Sequence, residues 1–180
     1  MLKRALITIA LSLIVWGCGS STQHGTQSQT DRGEAPEIID YYAAEVIRPG
    51  DTWRVYLKAK DNDGDMMNII ARLSQTGHGI TGTYSTRIEE KHSEEVAGYL
   101  SLRTPVDRRL TRDRFTLRIF VDDSQGNRSE RVELPLRFGN VPPAEIPEKW
   151  EKIADRSLGF ITITIKSSTQ KKRRSGGRRW

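Results

Sequence analysis

An all-β fold, an antiparallel β-sandwich of about seven strands in two sheets, is what this sequence predicts, and three observations predict it. Apolar residues alternate with polar ones at period two in four separate runs. Clusters rich in Asp, Asn, Gly and Pro divide those runs. No long apolar stripe of period 3.6 competes with them, and β-branched and aromatic residues dominate the alternating positions.

The strands follow in chain order. A weak first run spans Ile38 to Val46 and stops before Pro49 and Gly50. TWRVYLKAK, residues 52 to 60, is the first strong one, with Trp53, Val55, Leu57 and Ala59 on one face and Arg54, Tyr56 and Lys58 on the other. Two weaker runs, Met67 to Leu73 and Ile80 to Ile88, come next. EVAGYLSLR carries Val96, Gly98, Leu100 and Leu102 on one parity, and RFTLRIFVD carries Phe115, Leu117, Ile119 and Val121. RVELPLRF closes the series with Val132, Leu134, Leu136 and Phe138, and its Pro135 suits an edge strand or a bulge because proline cannot donate to a ladder. Seven strands in about 105 residues, with one polar face each, fit two packed antiparallel sheets.

The sandwich is expected over residues 35–139, and the chain on either side of it has a different character. Residues 140–166 carry three prolines, Pro142, Pro143 and Pro147, and read as a linker holding a short helix from about Pro147, in which Ile146, Trp150 and Ile153 share a face, followed by the strand FITITI at 160–165. That strand either packs on the sandwich or marks attachment to something else. Residues 167–180 are a basic tail.

Charge is uneven along the chain. The 29 basic and 23 acidic residues give a net charge of +6 and a pI near 9.6. Lys166, Lys171, Lys172, Arg173, Arg174, Arg178 and Arg179 lie in the last 15 residues without an acid among them, and Lys3 and Arg4 open the chain. Setting those nine aside leaves 20 basic against 23 acidic residues, so the central domain is not basic. This excludes a folded nucleic-acid reader, whose cations belong on one structured face. Lys171, Lys172, Arg173, Arg174, Arg178 and Arg179 remain candidates for binding a polyanion such as anionic lipid headgroups or lipopolysaccharide phosphate, a solvated tail without a target being the other reading.

The amino terminus reads as an address. After Lys3 and Arg4 comes an uncharged, largely apolar run from Ala5 to Trp16, too short for a span of about 20 residues and built like the charged and apolar regions of an export signal. Val15, Gly17 and Cys18 then resemble the lipobox of a bacterial lipoprotein, from which Trp16 departs. The resemblance implies cleavage after Gly17, a diacylglyceryl group and in many Gram-negative hosts an N-acyl chain on Cys18. With Gly19 where the inner-membrane retention aspartate would stand, it also implies an outer-membrane address. Residues 1–17 are thus the signal and 18–34 a lipid-anchored linker; Gly19 to Glu34 holds no large apolar residue with which to offset the entropy of ordering. Cys18 is the single cysteine, so no disulfide within the chain is available.

Two turns carry a second resemblance. Asp61, Asp63, Gly64 and Asp65 in KDNDGD, and Asp122, Gly126, Asn127 and Ser129 in DDSQGNRS, are similar to turn signatures of immunoglobulin-like modules of bacteria, the polycystic-kidney-disease-like and cadherin-like domains among them. This implies an immunoglobulin-like β-sandwich over about 100 residues. In such a sandwich the loops after the second and sixth strands emerge at the same end, which would let Asp61, Asp63, Asp65, Asp122 and Asp123 converge as hard oxygen ligands for Ca²⁺. Good turn formation without a metal is the alternative. The Asp61–Asp63–Asp65 spacing is not an EF-hand, because Gly64 directly follows Asp63 instead of the third ligand and Arg72 occupies the twelfth place.

Catalysis finds no support in the motifs. His24 lies in the linker, His78 and His92 belong to no HExxH arrangement, and neither a G-x-S-x-G elbow nor a phosphate loop occurs. Glu89, Glu90, Glu94 and Glu95 around Lys91 and His92 read as a solvated charged loop. The function expected is therefore that of a non-catalytic, lipid-anchored envelope protein whose sandwich binds a protein or surface polymer, with no small-molecule substrate, no specific nucleic acid and no cofactor beyond the candidate Ca²⁺. The alternatives are a structural spacer presenting the basic tail, and an enzyme whose site would need His78 or His92 in a pocket beside carboxylates.

Overall fold

The structure is a computed structural model that describes residues 33–165. Nine strands run in the order β1 (Glu37–Ala43), β2 (Val46–Ile47), β3 (Thr52–Lys60), β4 (Met66–Gln75), β5 (Gly79–Arg87), β6 (Glu95–Arg103), β7 (Arg114–Asp123), β8 (Val132–Phe138) and β9 (Ser157–Thr162), with a one-turn helix α1 (Glu148–Glu151) before the last. One sheet has the order β1-β3-β6-β9 and the other β2-β8-β7-β4-β5. The chain crosses between sheets after β1, β2, β3, β5, β6 and β8, and only β4–β5 and β7–β8 are consecutive within one sheet, a connectivity of the immunoglobulin-like sandwich type.

The inner faces are those the alternation designates. Trp53, Val55, Leu57 and Ala59 of β3 and Val96, Leu100 and Leu102 of β6 face Ile69, Ala71 and Leu73 of β4 and Phe115, Leu117, Ile119 and Val121 of β7, all of them buried. The β3–β6 register runs unbroken from Thr52↔Arg103 to Lys60↔Glu95, so Trp53, Val55 and Ala59 stand beside Leu102, Leu100 and Val96, and Leu57 faces Gly98. Trp53 also satisfies its indole N–H on the Ala44 carbonyl at 2.7 Å.

Three features depart from the simplest reading. The first run divides: β1 joins one sheet and β2 the other, because the chain switches sheets at residues 44–45. Two pairings, β2 with β8 and β6 with β9, are parallel. The last strand begins at Ser157 instead of Phe160 and is hydrogen-bonded into the first sheet, which buries Ile161 and Ile163 in the core. Pro135 is tolerated in β8 although that strand has neighbours on both sides, since β2 reaches only Arg137 and Phe138 and leaves Pro135 on a locally free edge.

A second apolar layer covers the outer face of the β1-β3-β6-β9 sheet. Tyr56 points away from the main core, yet Trp150 of α1 and Ile153 bury it, with Tyr42, Ala97, Tyr99 and Ile146 around them. The Tyr56 ring lies 5.5 Å from Trp150 and 5.7 Å from Tyr99, both tilted, within the range of favourable aromatic pairs. Lys149 fixes the helix to β1 through Asp40 at 2.9 Å. Trp150→Ala is expected to cost about 3–5 kcal/mol, the usual loss for a large buried aromatic, and to expose Tyr56. Denaturant unfolding checks the first effect and solvent quenching of tyrosine emission the second.

Candidate metal centre

One pole of the sandwich gathers three carboxylates. The parity that buries Trp53, Val55, Leu57 and Ala59 continues one step beyond β3 to Asp61, and the parity of Phe115 to Val121 continues to Asp123 at the end of β7. Asp61 and Asp123 are accordingly 2% and 1% exposed. Asp65 arrives from the crossover between β3 and β4, where Met66 pairs with Asp123, so it lands beside the β7 terminus. One oxygen from each of Asp61, Asp65 and Asp123 lies within 4.8 Å of the other two.

Backbone geometry sets these side chains. The crossover is a tight turn in which Gly64 donates to the Asp61 carbonyl and sits at φ +71°, a left-handed conformation that favours glycine. Asp63 donates its N–H to Asp61 Oδ1 at 3.3 Å. On the facing turn Asp123 Oδ1 accepts from the backbone of Gln125 at 2.9 Å and of Asn127 at 2.7 Å, and Oδ2 accepts from Asn127 Nδ2 at 2.8 Å. Gly126, at φ +86°, completes that reversal. Ser124 joins the two turns, donating its N–H to the Asp65 carbonyl at 3.1 Å and its hydroxyl to Asp65 Oδ2. Ser129 is buried and closes the hairpin from behind, its Oγ accepting the Val121 N–H at 2.9 Å.

Asp61 Oδ2 and Asp65 Oδ1 are buried without a hydrogen-bond partner among the described residues. None of the three carboxylates forms an ion pair with a described lysine or arginine. Burial pushes the Asp61 carboxyl above its ordinary range; the nearby Asp65 carboxyl adds to the rise, against the lowering effect of the Asp63 N–H. Uncompensated buried charge of this kind is costly, and a proton or a cation relieves it. The oxygen set is hard, and calcium–oxygen distances of about 2.3–2.6 Å allow ligands on opposite sides of the ion to stand roughly 4.6–5.2 Å apart. The trio therefore fits Ca²⁺ in chemistry and in reach, with Asp61 Oδ2 and Asp65 Oδ1 as the free ligand atoms.

The other two acidic residues of the sequence-derived set are turned elsewhere. Asp63 faces the incoming chain and accepts the Glu34 N–H at 2.5 Å, while Asn62 donates to Glu34 Oε2 at 2.8 Å. Asp122, on the opposite parity to Asp123, is held by Arg128 at 2.6 and 2.9 Å. It is Asp123, not the Asp122 of the turn signature, whose carboxylate caps the turn. Continuing the period of two past the last apolar residue is the sequence signal that singles out Asp61 and Asp123. Cys18 and Lys171, Lys172, Arg173, Arg174, Arg178 and Arg179 lie outside the described residues.

The histidines occupy separate places. His78 sits in an exposed turn with Nδ1 3.3 Å from the Thr76 carbonyl. His92 lines a groove of about 550 Å³ between the end of β5 and β6, together with Glu89, Glu95 and Ser157. The Glu89 carboxylate is taken by Lys91 at 2.7 Å, which holds it below the ordinary glutamate range. Among the described residues no hydrogen bond joins the His92 ring to a carboxylate or hydroxyl, so a nucleophile, base and orienting group are not aligned there.

No family model and no curated protein matches the chain. Among solved structures, the chain is similar to the PKD domain of an M14-like peptidase from Thermoplasmatales archaeon SCGC AB-540-F20, at 17% identity over 60% of this chain and 99% of that one, with a TM-score of 0.36. It is similar also to a CARDB domain from Pyrococcus furiosus solved with di-metal ions, at 11% identity over 58% and 86%, TM-score 0.32. A third match is an alkylpurine DNA glycosylase from Pseudomonas fluorescens, at 16% identity, of which the chain spans 31%, TM-score 0.35. The metal ions and the DNA belong to those proteins, and likeness at this level does not extend to site or activity.

A proton bound more tightly by folded than by unfolded Asp61 makes metal-free stability fall as pH rises from the ordinary aspartate value of 3.8 through the raised one. Below that window the contribution is fully present, and above it is lost. Urea unfolding across this range in chelator-treated buffer should show the decline, and Asp61→Asn should flatten it.

Proposed function

We propose that this chain is a non-catalytic, lipid-anchored envelope module whose immunoglobulin-like domain binds Ca²⁺ at its acidic pole and presents its surface to an envelope protein or polymer. The observation that carries the metal reading is the pair of orphaned buried oxygens, Asp61 Oδ2 and Asp65 Oδ1, beside Asp123. A single ion links the β3–β4 crossover, which leaves one sheet, to the β7–β8 turn of the other, so it braces the end of the sandwich. The anchor rests on Lys3 and Arg4, the apolar run to Trp16, and Val15, Gly17 and Cys18. A linker of about 16 residues without large apolar side chains follows, long enough to hold a domain away from a lipid surface. Among the described residues no helix is long and apolar enough to cross a membrane.

Ca²⁺ at ten times its dissociation constant stabilises the folded state by about 1.4 kcal/mol, which is several degrees of melting temperature for a domain of this size. Asp61→Asn should abolish that shift, whereas Asp63→Asn and Asp122→Asn should keep it, because their carboxylates point away from the trio. An unchanged melting curve at millimolar Ca²⁺, after an ionic-strength control, would reject the metal reading. Mass spectrometry of the native amino terminus tests the anchor separately: a chain beginning at acylated Cys18 supports it, and an unmodified Cys18 thiol refutes it.

A further inference from the structure

We propose that β5 pairs with β5 of a second copy, antiparallel about a two-fold axis, so that two five-stranded sheets join edge to edge. Among the described residues β5 ends the β2-β8-β7-β4-β5 sheet and has β4 on one side alone. The Ile88 N–H bonds the Met67 carbonyl at 2.9 Å, which fixes the phase of the ladder. In an antiparallel pair hydrogen-bonded and non-hydrogen-bonded positions alternate, so along the β4–β5 register Thr86, Tyr84 and Gly82 are bonded to Ile69, Ala71 and Leu73. The N–H and C=O groups of Thr83, Ser85 and Arg87 therefore project from the free edge.

Natural edges are guarded by charge, proline, bulges or brevity, and the other three here are: β9 has an irregularity between Ser157 and Gly159, opposite Tyr99 and Leu100. β1 has an irregularity between Ile38 and Asp40 and carries Glu37 and Asp40, paired with Lys60 and Lys149. β2 is two residues long. From Gly82 to Thr86, β5 has none of these devices: its residues are Gly, Thr, Tyr, Ser and Thr, and its own irregularity lies earlier, opposite Leu73 and Ser74. With the axis at Ser85, Ser85 faces its own copy, Tyr84 faces Thr86 and Thr83 faces Arg87, so no like charges meet. The same side chains thus serve both partners, as a two-fold contact requires. Apolar surface is at hand on this flank, since Ile80 is 61% exposed and Phe160 of β9 is 62% exposed, next to the Gly159 that packs against Thr86.

Self-complementarity is what favours a second copy over an extended segment of another protein, the other occupant that an open edge accepts. Sedimentation of the full chain in density-matched detergent should give twice the mass of one chain. Ser85→Pro removes an outward N–H without touching the β4 ladder, and should restore the single-chain mass with an unchanged circular dichroism spectrum. Ser85→Cys should form a disulfide-linked dimer under mild oxidation, because facing residues of a hydrogen-bonded pair stand about 5.5 Å apart; Ile39→Cys, on β1, should not. A full chain that stays monomeric at every concentration, a Ser85→Pro variant as dimeric as its parent, or crosslinking from position 85 to a different polypeptide would each overturn the proposal.

Discussion

Period-two alternation in β3 and β7 is the constraint on which the rest of the structure depends. It places Trp53, Val55, Leu57 and Ala59 opposite Phe115, Leu117, Ile119 and Val121, and a one-residue slip in either strand would send that set into solvent. The same parity, carried one residue past the apolar run, leaves Asp61 and Asp123 no direction but inward. The acidic pole is thus a direct consequence of the strand register that makes the core. Burial there is imposed on the carboxylates by their place in the chain, and the raised pKa of Asp61 is its chemical trace.

The two layers of packing divide the work of holding the fold. The inner layer fixes which residues face each other across the sheets. The outer one, Trp150 and Ile153 over Tyr56, fastens residues 146–153 to the first sheet and thereby delivers the chain to β9, where Gly98 leaves room for the Arg156 backbone. β9 and the residue after it then fill the core with Ile161 and Ile163. The carboxyl-terminal part of the sandwich therefore depends on an aromatic contact made on its outside.

Much of this is legible in the sequence because alternation, turns and apolar burial are local properties. The strong strands lie where their patterns put them, and Gly64 and Gly126 stand where left-handed turns need them. What was not legible depends on pairing. Tyr56 has the parity of a solvent-facing residue and is buried only because α1 returns over it. The weak first run reads as one strand because nothing local marks the switch of sheets between β1 and β2. At the pole, five aspartates were equivalent as turn formers; register and parity alone separate Asp61, Asp65 and Asp123 from Asp63, which holds Glu34, and Asp122, which holds Arg128.

A bound ion at the pole and an unguarded strand on the flank would give the domain a braced end and a free edge, two properties suited to a module that works by contact. The brace is the central claim, and calorimetric titration of Ca²⁺ into the chelator-treated full chain tests it most directly. The account predicts saturable heat with one ion per chain, absent from Asp61→Asn and retained in Asp122→Asn. No saturable heat from the parent chain, or equal binding by Asp61→Asn, would contradict it.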